Sequence, residues 1–75
     1  MADTRKLDQK LKRLRVIEGD YRGAIKRAHE ELKHNLISRE KFLKIERKYE
    51  AKIERLLPKL RRLQHLRNEL KARGG

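Results

Sequence analysis

Residues 34 to 42 read HNLISREKF, and the residue types in this stretch are typical of a tight turn between two helices. Asn35 tolerates the left-handed backbone conformation that commonly ends a helix. Ser38 can accept a hydrogen bond from a free N–H group at the start of the next helix. Ile37 and Phe42 occupy the two positions of a hydrophobic staple around that start. The stretch therefore predicts one helix ending, a short connection, and a second helix beginning.

Apolar residues recur on both sides of this turn at alternating steps of four and three, which is the heptad pattern of a coiled-coil seam. The first seam contains Leu7, Leu11, Leu14, Glu18, Tyr21, Ile25, Ala28 and Leu32. The second contains Phe42, Glu46, Tyr49, Ile53, Leu56, Leu60, Leu63, Arg67 and Leu70. The pattern predicts helix one over about 4–34, a turn at 35–38, and helix two over about 38–72. Asp3 or Thr4 can cap the first helix.

A connection this short makes neighbouring helices antiparallel. When the chain is folded back at the turn, seam residues meet seam residues along the whole length, with Leu14 facing Leu60 and Ile25 facing Tyr49. One register thus satisfies both heptads. The predicted fold class is all-α, an antiparallel two-helix hairpin forming a coiled coil within a single domain.

Three residues oppose regular helix. Gly19 and Gly23 each cost the first helix about 1 kcal/mol relative to alanine. Pro58 removes a backbone donor from the second helix and falls on its outer face. We expect the second helix to be kinked at Pro58, and a break into a third helix is the alternative.

Residues 29–57, HEELKHNLISREKFLKIERKYEAKIERLL, resemble the short C-terminal domain called SHOCT. The matching positions are Leu36, Ile37, Ser38, Glu40, Phe42, Leu56 and Leu57, while Asn35 stands where that family usually has glycine. The resemblance implies an oligomerisation or tethering element.

The amino-acid composition excludes some classes of function and favours others. The 75 residues include 23 Lys and Arg against 11 Asp and Glu, for a net charge of +12, and no cysteine, which excludes thiol catalysis and a cysteine-based zinc site. So strong a basic excess favours a polyanionic partner, most often nucleic acid. No apolar run approaches a membrane span, and the first residues lack a signal-peptide core, so we expect a cytoplasmic protein without a membrane partner.

The positive charge is concentrated in residues 5–15 and 55–73, which together hold thirteen basic and two acidic residues, whereas residues 16–54 hold ten and eight. In the hairpin these two segments lie side by side at the open end, and we call them the basic end. Their dibasic steps are uncompensated by neighbouring acids. The residues expected to bind nucleic-acid phosphates are Arg5, Lys6, Lys12, Arg13, Arg61, Arg62 and Arg67.

The sequence favours a small non-enzymatic nucleic-acid-binding protein that contacts RNA, in preference to DNA, in a ribonucleoprotein or ribosomal setting. All three aromatic residues belong to the seams, so none is free to stack on a base. No nucleophile lies beside a base, and the three histidines lack ligand spacing, so we expect no catalytic residue, metal or cofactor.

The alternative function is a coiled-coil adaptor for protein interaction or oligomerisation. Apolar residues beside or outside the seams exceed what two helices can cover, and they indicate a homodimer or docking on a larger protein assembly. These residues are Val16, Ile17, Leu43, Ile45, Leu57 and Leu66.

Overall fold

The computed structural model describes residues 4–74, and over this range the chain forms two α-helices and no strand. Helix α1 spans Arg5–Lys33, and helix α2 spans Arg39–Gly74. They pack along their lengths into a rod of 55 × 16 × 14 Å. The predicted all-α hairpin is confirmed.

Side-chain contacts between the helices give their relative direction. The contacting pairs, with the α1 residue first, are Asp8 with Arg67, Arg15 with Gln64, Tyr21 with Tyr49, and His29 with Phe42. As the residue number rises along α1, the number of the partner in α2 falls. The helices are therefore antiparallel, as the matched seams predict.

The turn begins with a Schellman motif at the end of α1. Asn35 has a φ of 59°, the left-handed conformation expected for it. The N–H of Leu36 donates to the carbonyl of Glu31 at 2.8 Å, and the N–H of Asn35 donates to the carbonyl of Leu32 at 3.0 Å. These two bonds satisfy carbonyl groups that the end of a helix otherwise leaves without partners.

Ser38 caps the start of α2. Its hydroxyl oxygen accepts a hydrogen bond from the N–H of Lys41 at 3.1 Å, and its carbonyl accepts one from the N–H of Phe42 at 3.0 Å. The first is the side-chain bond of an N-cap, and the second is the first backbone bond of the helix. Phe42 is buried and Ile37 is half-buried, as expected for staple positions.

The start of α1, unlike the start of α2, lacks the side-chain capping bond that was predicted from Thr4. Thr4 occupies the N-cap position but makes no side-chain capping bond, so this part of the prediction is wrong. Its backbone has φ −88° and ψ 0°, close to helical values, whereas a capping side chain works from an extended backbone. The alternative cap, Asp3, lies outside the described residues.

The core is a thin line of side chains between the helices. Its buried members are Leu11, Ala28, Phe42, Ile53 and Leu56. Several large apolar side chains lie outside it, and the exposed ones are Val16, Ile17, Leu36, Leu43 and Leu66.

Pro58 lies inside α2, and the helix continues through it, so the chain does not adopt the alternative of a third helix. Proline lacks the N–H that would bond to the carbonyl of Glu54. Both residues are exposed, which leaves that carbonyl accessible to water. The kink expected at Pro58 stays a prediction.

Gly19→Ala combined with Gly23→Ala is expected to stabilise the hairpin. A Cβ atom at either position would meet nothing within 4 Å, and both residues lie in regular α1 helix. Each replacement should add about 0.4 to 1 kcal/mol to the free energy of unfolding, chiefly by restricting the unfolded chain. Urea denaturation followed by circular dichroism measures the change. An unchanged or lowered free energy would contradict the prediction.

Phe42→Asp is expected to destabilise the turn end strongly, and Ile37→Asp to do so less. Phe42 is 8% exposed, so the substitution would bury an uncompensated charge, at a cost of several kcal/mol. The control is Leu36→Asp in the same turn, because Leu36 is 73% exposed and the change should stay within about 0.5 kcal/mol. Equal thermal melts for Phe42→Asp and the parent would disprove the staple.

Candidate nucleic-acid interface

Two packed helices leave one groove on each side of the line where they meet, and different side chains line these two grooves. One groove, which we call the Gln64 groove, includes Arg22, Lys26, Glu50 and Glu54 near the turn, over a floor of Ile25 and Ile53. Further along the rod, the same groove is lined by Arg15, Glu18, Leu57, Leu60, Arg61 and Gln64. The other, which we call the Lys48 groove, is lined by Ala24, Arg27, Glu31, Ile45 and Lys48.

At the basic end, the Gln64 groove is organised around a hydrogen bond between the helices. The Arg15 Nη2 donates to Gln64 Oε1 at 2.8 Å, and Gln64 Nε2 donates to Asn68 Oδ1 at 3.3 Å. Lys12 and Arg61 lie on either side of this pair and are both exposed. Three cationic side chains therefore border one short stretch of this groove.

Other cations of the basic end belong to the opposite side. Arg13 lies two heptads before Arg27, and Arg62 lies two heptads after Lys48. Residues spaced by whole heptads keep the same face of a coiled coil. Because Arg27 and Lys48 line the Lys48 groove, Arg13 and Arg62 lie on that side, as does Lys6, one heptad before Arg13. All three are exposed.

The structure thus divides the four residues that the sequence placed level with one another. Lys12 and Arg61 border the Gln64 groove, whereas Arg13 and Arg62 lie on the side of the Lys48 groove. The split follows from helix geometry, since consecutive residues differ by about 100° around the axis. Adjacent basic residues in a dibasic step therefore point in different directions, although Lys12 and Arg13 both line one depression on the outer face of α1.

Arg67 differs from the other expected phosphate-binding residues. Its Nε donates to the Asp8 carboxylate across the helix interface, and its side chain is only 27% exposed. Arg67 belongs to the second seam, so its side chain lies against α1. There it contacts Asp8, the acidic residue of segment 5–15. This guanidinium is therefore committed to the hairpin, while Arg5, at the first position of α1, is exposed.

A salt bridge within α1 compensates some of the remaining charge, and within α2 a histidine lies beside an acid. Arg22 Nη2 lies 3.1 Å from Glu18 Oε2, the pairing typical of residues four apart, and His65 Nε2 lies 3.1 Å from Glu69 Oε1. These acids lie beside their own partners. They leave Lys12, Arg13, Arg61 and Arg62 without a described carboxylate partner, among residues 4–74.

The aromatic rings are engaged within the hairpin. Tyr21 and Tyr49 lie 5.8 Å apart between ring centroids, and Phe42 meets the ring of His29 edge-on at 5.6 Å. The Lys52 ammonium lies 5.5 Å from the centroid of Tyr21 and 5.4 Å from that of Tyr49. The Lys48 ammonium lies 5.7 Å from the centroid of Tyr49. Cation–π attraction thus engages two lysines, which makes them less open to an anion.

Two polar residues were missed by the sequence reasoning, Arg15 and Gln64. Both stand beside the seams and border the same groove of the hairpin, and this shared side is the signal that could have identified them. Arg15 was counted only as part of the basic segment.

The described part of the chain also bears on metal binding and on membrane insertion. Residues 4–74 contain no group of three or more His, Asp or Glu side chains placed to hold a metal ion. None of the described helices combines the length and the apolar character needed to cross a membrane.

No family model, no curated protein and no solved structure matches this chain. The resemblance of residues 29–57 to SHOCT stays a prediction.

Arg67→Leu is expected to leave the hairpin at least as stable as the parent. The ion pair with Asp8 is partly exposed and is worth about 0.2 to 1 kcal/mol, whereas leucine adds apolar area at a seam position. Thermal melts of this variant, beside Arg62→Leu as the exposed arginine control, test the assignment. A loss above about 1 kcal/mol specific to Arg67→Leu would identify the ion pair as essential to the fold.

Proposed function

We propose that the protein binds nucleic acid, RNA in preference to DNA, through phosphate contacts at its basic end. The observation that carries this proposal is the set of exposed cations, Lys6, Lys12, Arg13, Arg61 and Arg62, gathered at one end of the rod by the antiparallel fold. A ribonucleoprotein or ribosomal setting and a cytoplasmic location are parts of the same proposal.

The electrostatic argument rests on what surrounds these side chains. Bringing residues 5–15 beside residues 55–73 places thirteen basic residues near two acidic ones. Asp8 pairs with Arg67, and Glu69 lies beside His65. Like charges held together lower stability, and a polyanion relieves the repulsion while releasing its own counterions. The hairpin therefore gains both stability and affinity from binding phosphates.

The shape of the hairpin favours contact with the backbone of a nucleic acid. Its cross-section of 16 × 14 Å is wider than the DNA major groove, about 12 Å, which admits a single helix. The rings of Tyr21, Tyr49 and Phe42 lie against other groups of the hairpin, so none offers an open stacking face. Folded RNA suits this mode because proteins recognise it largely by shape and by phosphate contacts.

A second candidate function is the protein-interaction adaptor. The accessible surface is 6601 Å², whereas a compact monomer of 9.1 kDa has about 4,900 Å². Apolar side chains contribute to this excess, with Val16 56%, Leu43 40% and Leu66 41% exposed. The resemblance to SHOCT implies a similar tethering role. In this reading the basic charge serves solubility or an acidic protein partner.

Replacing Lys12, Arg13, Arg61 and Arg62 together by glutamate is expected to weaken RNA binding strongly without unfolding the helices. The four side chains are exposed, and glutamate is a good helix former. Loss of about four phosphate contacts should flatten the slope of log K against log salt by roughly 3 units, at about 0.7 to 0.9 per phosphate. Fluorescence anisotropy of labelled duplex and single-stranded RNA over a salt series measures it, with circular dichroism as the folding check.

The matched control replaces Lys26, Arg27, Arg47 and Lys48 by glutamate, because these four are also exposed and their replacement changes the net charge equally. It should weaken binding less. Equal losses from both variants would mean that net charge alone drives binding. Undiminished binding by the first variant would reject the basic end and favour the adaptor.

A further inference from the structure

We propose that the outer face of α1 carries a docking site for an acidic amphipathic helix of a protein partner. The site is the depression lined by Gln9, Lys12, Arg13, Val16 and Ile17, which we call the outer depression. Docking at this site is independent of the proposed nucleic-acid binding. Because Lys12 and Arg13 are also expected phosphate-binding residues, the partner competes with nucleic acid for them, and this consequence alone rests on the proposed function.

The outer depression has the shape of a groove that a helix can occupy. Side chains four residues apart form ridges along the surface of a helix, and neighbouring ridges leave a groove between them. Here one ridge is formed by Gln9, Arg13 and Ile17, and the other contains Lys12 and Val16. Helices pack together by placing a ridge of one into a groove of the other. This groove on α1 is therefore suited to a ridge of a further helix.

The two apolar side chains of the outer depression are not covered by the hairpin. Val16 is 56% exposed and Ile17 is 36% exposed. Val16 follows the seam residue Leu14 by two positions, about 200° around the helix, so it faces away from α2. A partner side chain that packs against both residues removes apolar surface from water, which favours binding. Phosphates offer no apolar group for such a contact, so these two residues favour a protein as the occupant.

The charge of the outer depression narrows the class of protein. Lys12 and Arg13 are exposed, and within residues 4–74 no acidic residue lines the depression. An acidic partner pairs with both cations, whereas a second copy of this chain has a net charge of +12 and is repelled. The occupant that fits best is a helix with apolar side chains on one face and acidic residues beside them.

The test uses the full chain and two synthetic acidic peptides of equal length and charge. Both are rich in glutamate and form helices; the leucine peptide has leucine along one face, and the alanine peptide has alanine at the same positions. Fluorescence anisotropy measures the binding of each labelled peptide, kept at nanomolar concentration so that it stays monomeric. The leucine peptide should bind roughly tenfold more tightly than the alanine peptide, because its larger side chains fill the groove.

The first variant removes the apolar side chains of the outer depression. Val16→Ala with Ile17→Ala should weaken binding of the leucine peptide by roughly tenfold and leave RNA binding unchanged. The matched control is Leu43→Ala with Leu66→Ala, because these leucines of α2 are 40% and 41% exposed. The control should bind the leucine peptide as the parent does. Circular dichroism confirms that both variants stay helical, as expected since alanine is a good helix former.

The second variant removes the charge of the outer depression. Lys12→Gln with Arg13→Gln should weaken binding of the leucine peptide and make it less sensitive to salt, since salt screens exposed ion pairs. The matched control is Lys26→Gln with Arg27→Gln, an exposed dibasic step two heptads further along α1. It changes the net charge equally and should weaken binding less.

Four outcomes would overturn the docking site. Equal binding of the leucine and alanine peptides by the parent, or undiminished binding by either variant of the outer depression, would mean that net charge or another surface attracts the peptide. Loss of RNA binding on Val16→Ala with Ile17→Ala would assign these residues to the nucleic-acid interface. A parent that sediments as a dimer, and as a monomer with that variant, would identify a second copy as the occupant. Binding to vesicles of anionic phospholipid without binding to the leucine peptide would identify a membrane surface.

Competition distinguishes the docking site from the proposed function. Unlabelled leucine peptide should weaken the binding of labelled duplex RNA to the parent, and the alanine peptide should do so much less. Simultaneous binding of peptide and RNA at undiminished affinity would overturn the shared use of Lys12 and Arg13. A parent that binds the leucine peptide but no RNA would reject the proposed function and leave the docking site intact.

Discussion

The left-handed backbone of Asn35 is the constraint on which the rest of the hairpin depends. Held at a φ of 59°, it ends α1 and lets the N–H groups of Asn35 and Leu36 close on the carbonyls of Leu32 and Glu31. Ser38 then starts α2 through its bond to the Lys41 N–H. The reversal takes so few residues that it fixes the register of one helix against the other. A shift in this register would move apolar side chains out of the interface and charged ones into it.

The same register brings the chemistry of the molecule together. Residues 5–15 and 55–73 are remote in sequence, and the reversal at Asn35 makes them neighbours at the open end. Contacts across the interface then hold two of these cations in place. Arg67 donates a hydrogen bond to the Asp8 carboxylate, and Arg15 donates one to Gln64. The thin core, in which Leu11 and Ala28 are the only buried residues of α1, supplies modest stability against this repulsion. An anion that binds only the folded hairpin would stabilise it by mass action.

Helical geometry explains why the cations of the basic end point in different directions. Adjacent residues lie about 100° apart around a helix, so the two members of a dibasic step take different positions around the rod. Lys12 and Arg61 therefore border the Gln64 groove, while Arg13 and Arg62 lie on the opposite side. When charge is counted along the sequence alone, each of these dibasic steps counts as one basic cluster. Only the pairing of two helices places these cations relative to the two grooves.

The sequence by itself determined the two helices, their antiparallel order and the turn chemistry of Asn35 and Ser38, because heptad spacing and capping are local properties that a linear pattern records. It also located the positive charge in the two terminal segments. The tertiary structure decided which cations are committed to the hairpin, as Arg67 is to Asp8 and Lys52 is to the tyrosine rings, and which remain exposed. It also corrected the expected cap at Thr4, whose near-helical backbone the residue type did not reveal. These features depend on distances between residues far apart in the chain, or on a backbone angle that several residue types can adopt, and neither is encoded in the spacing of residues along one helix.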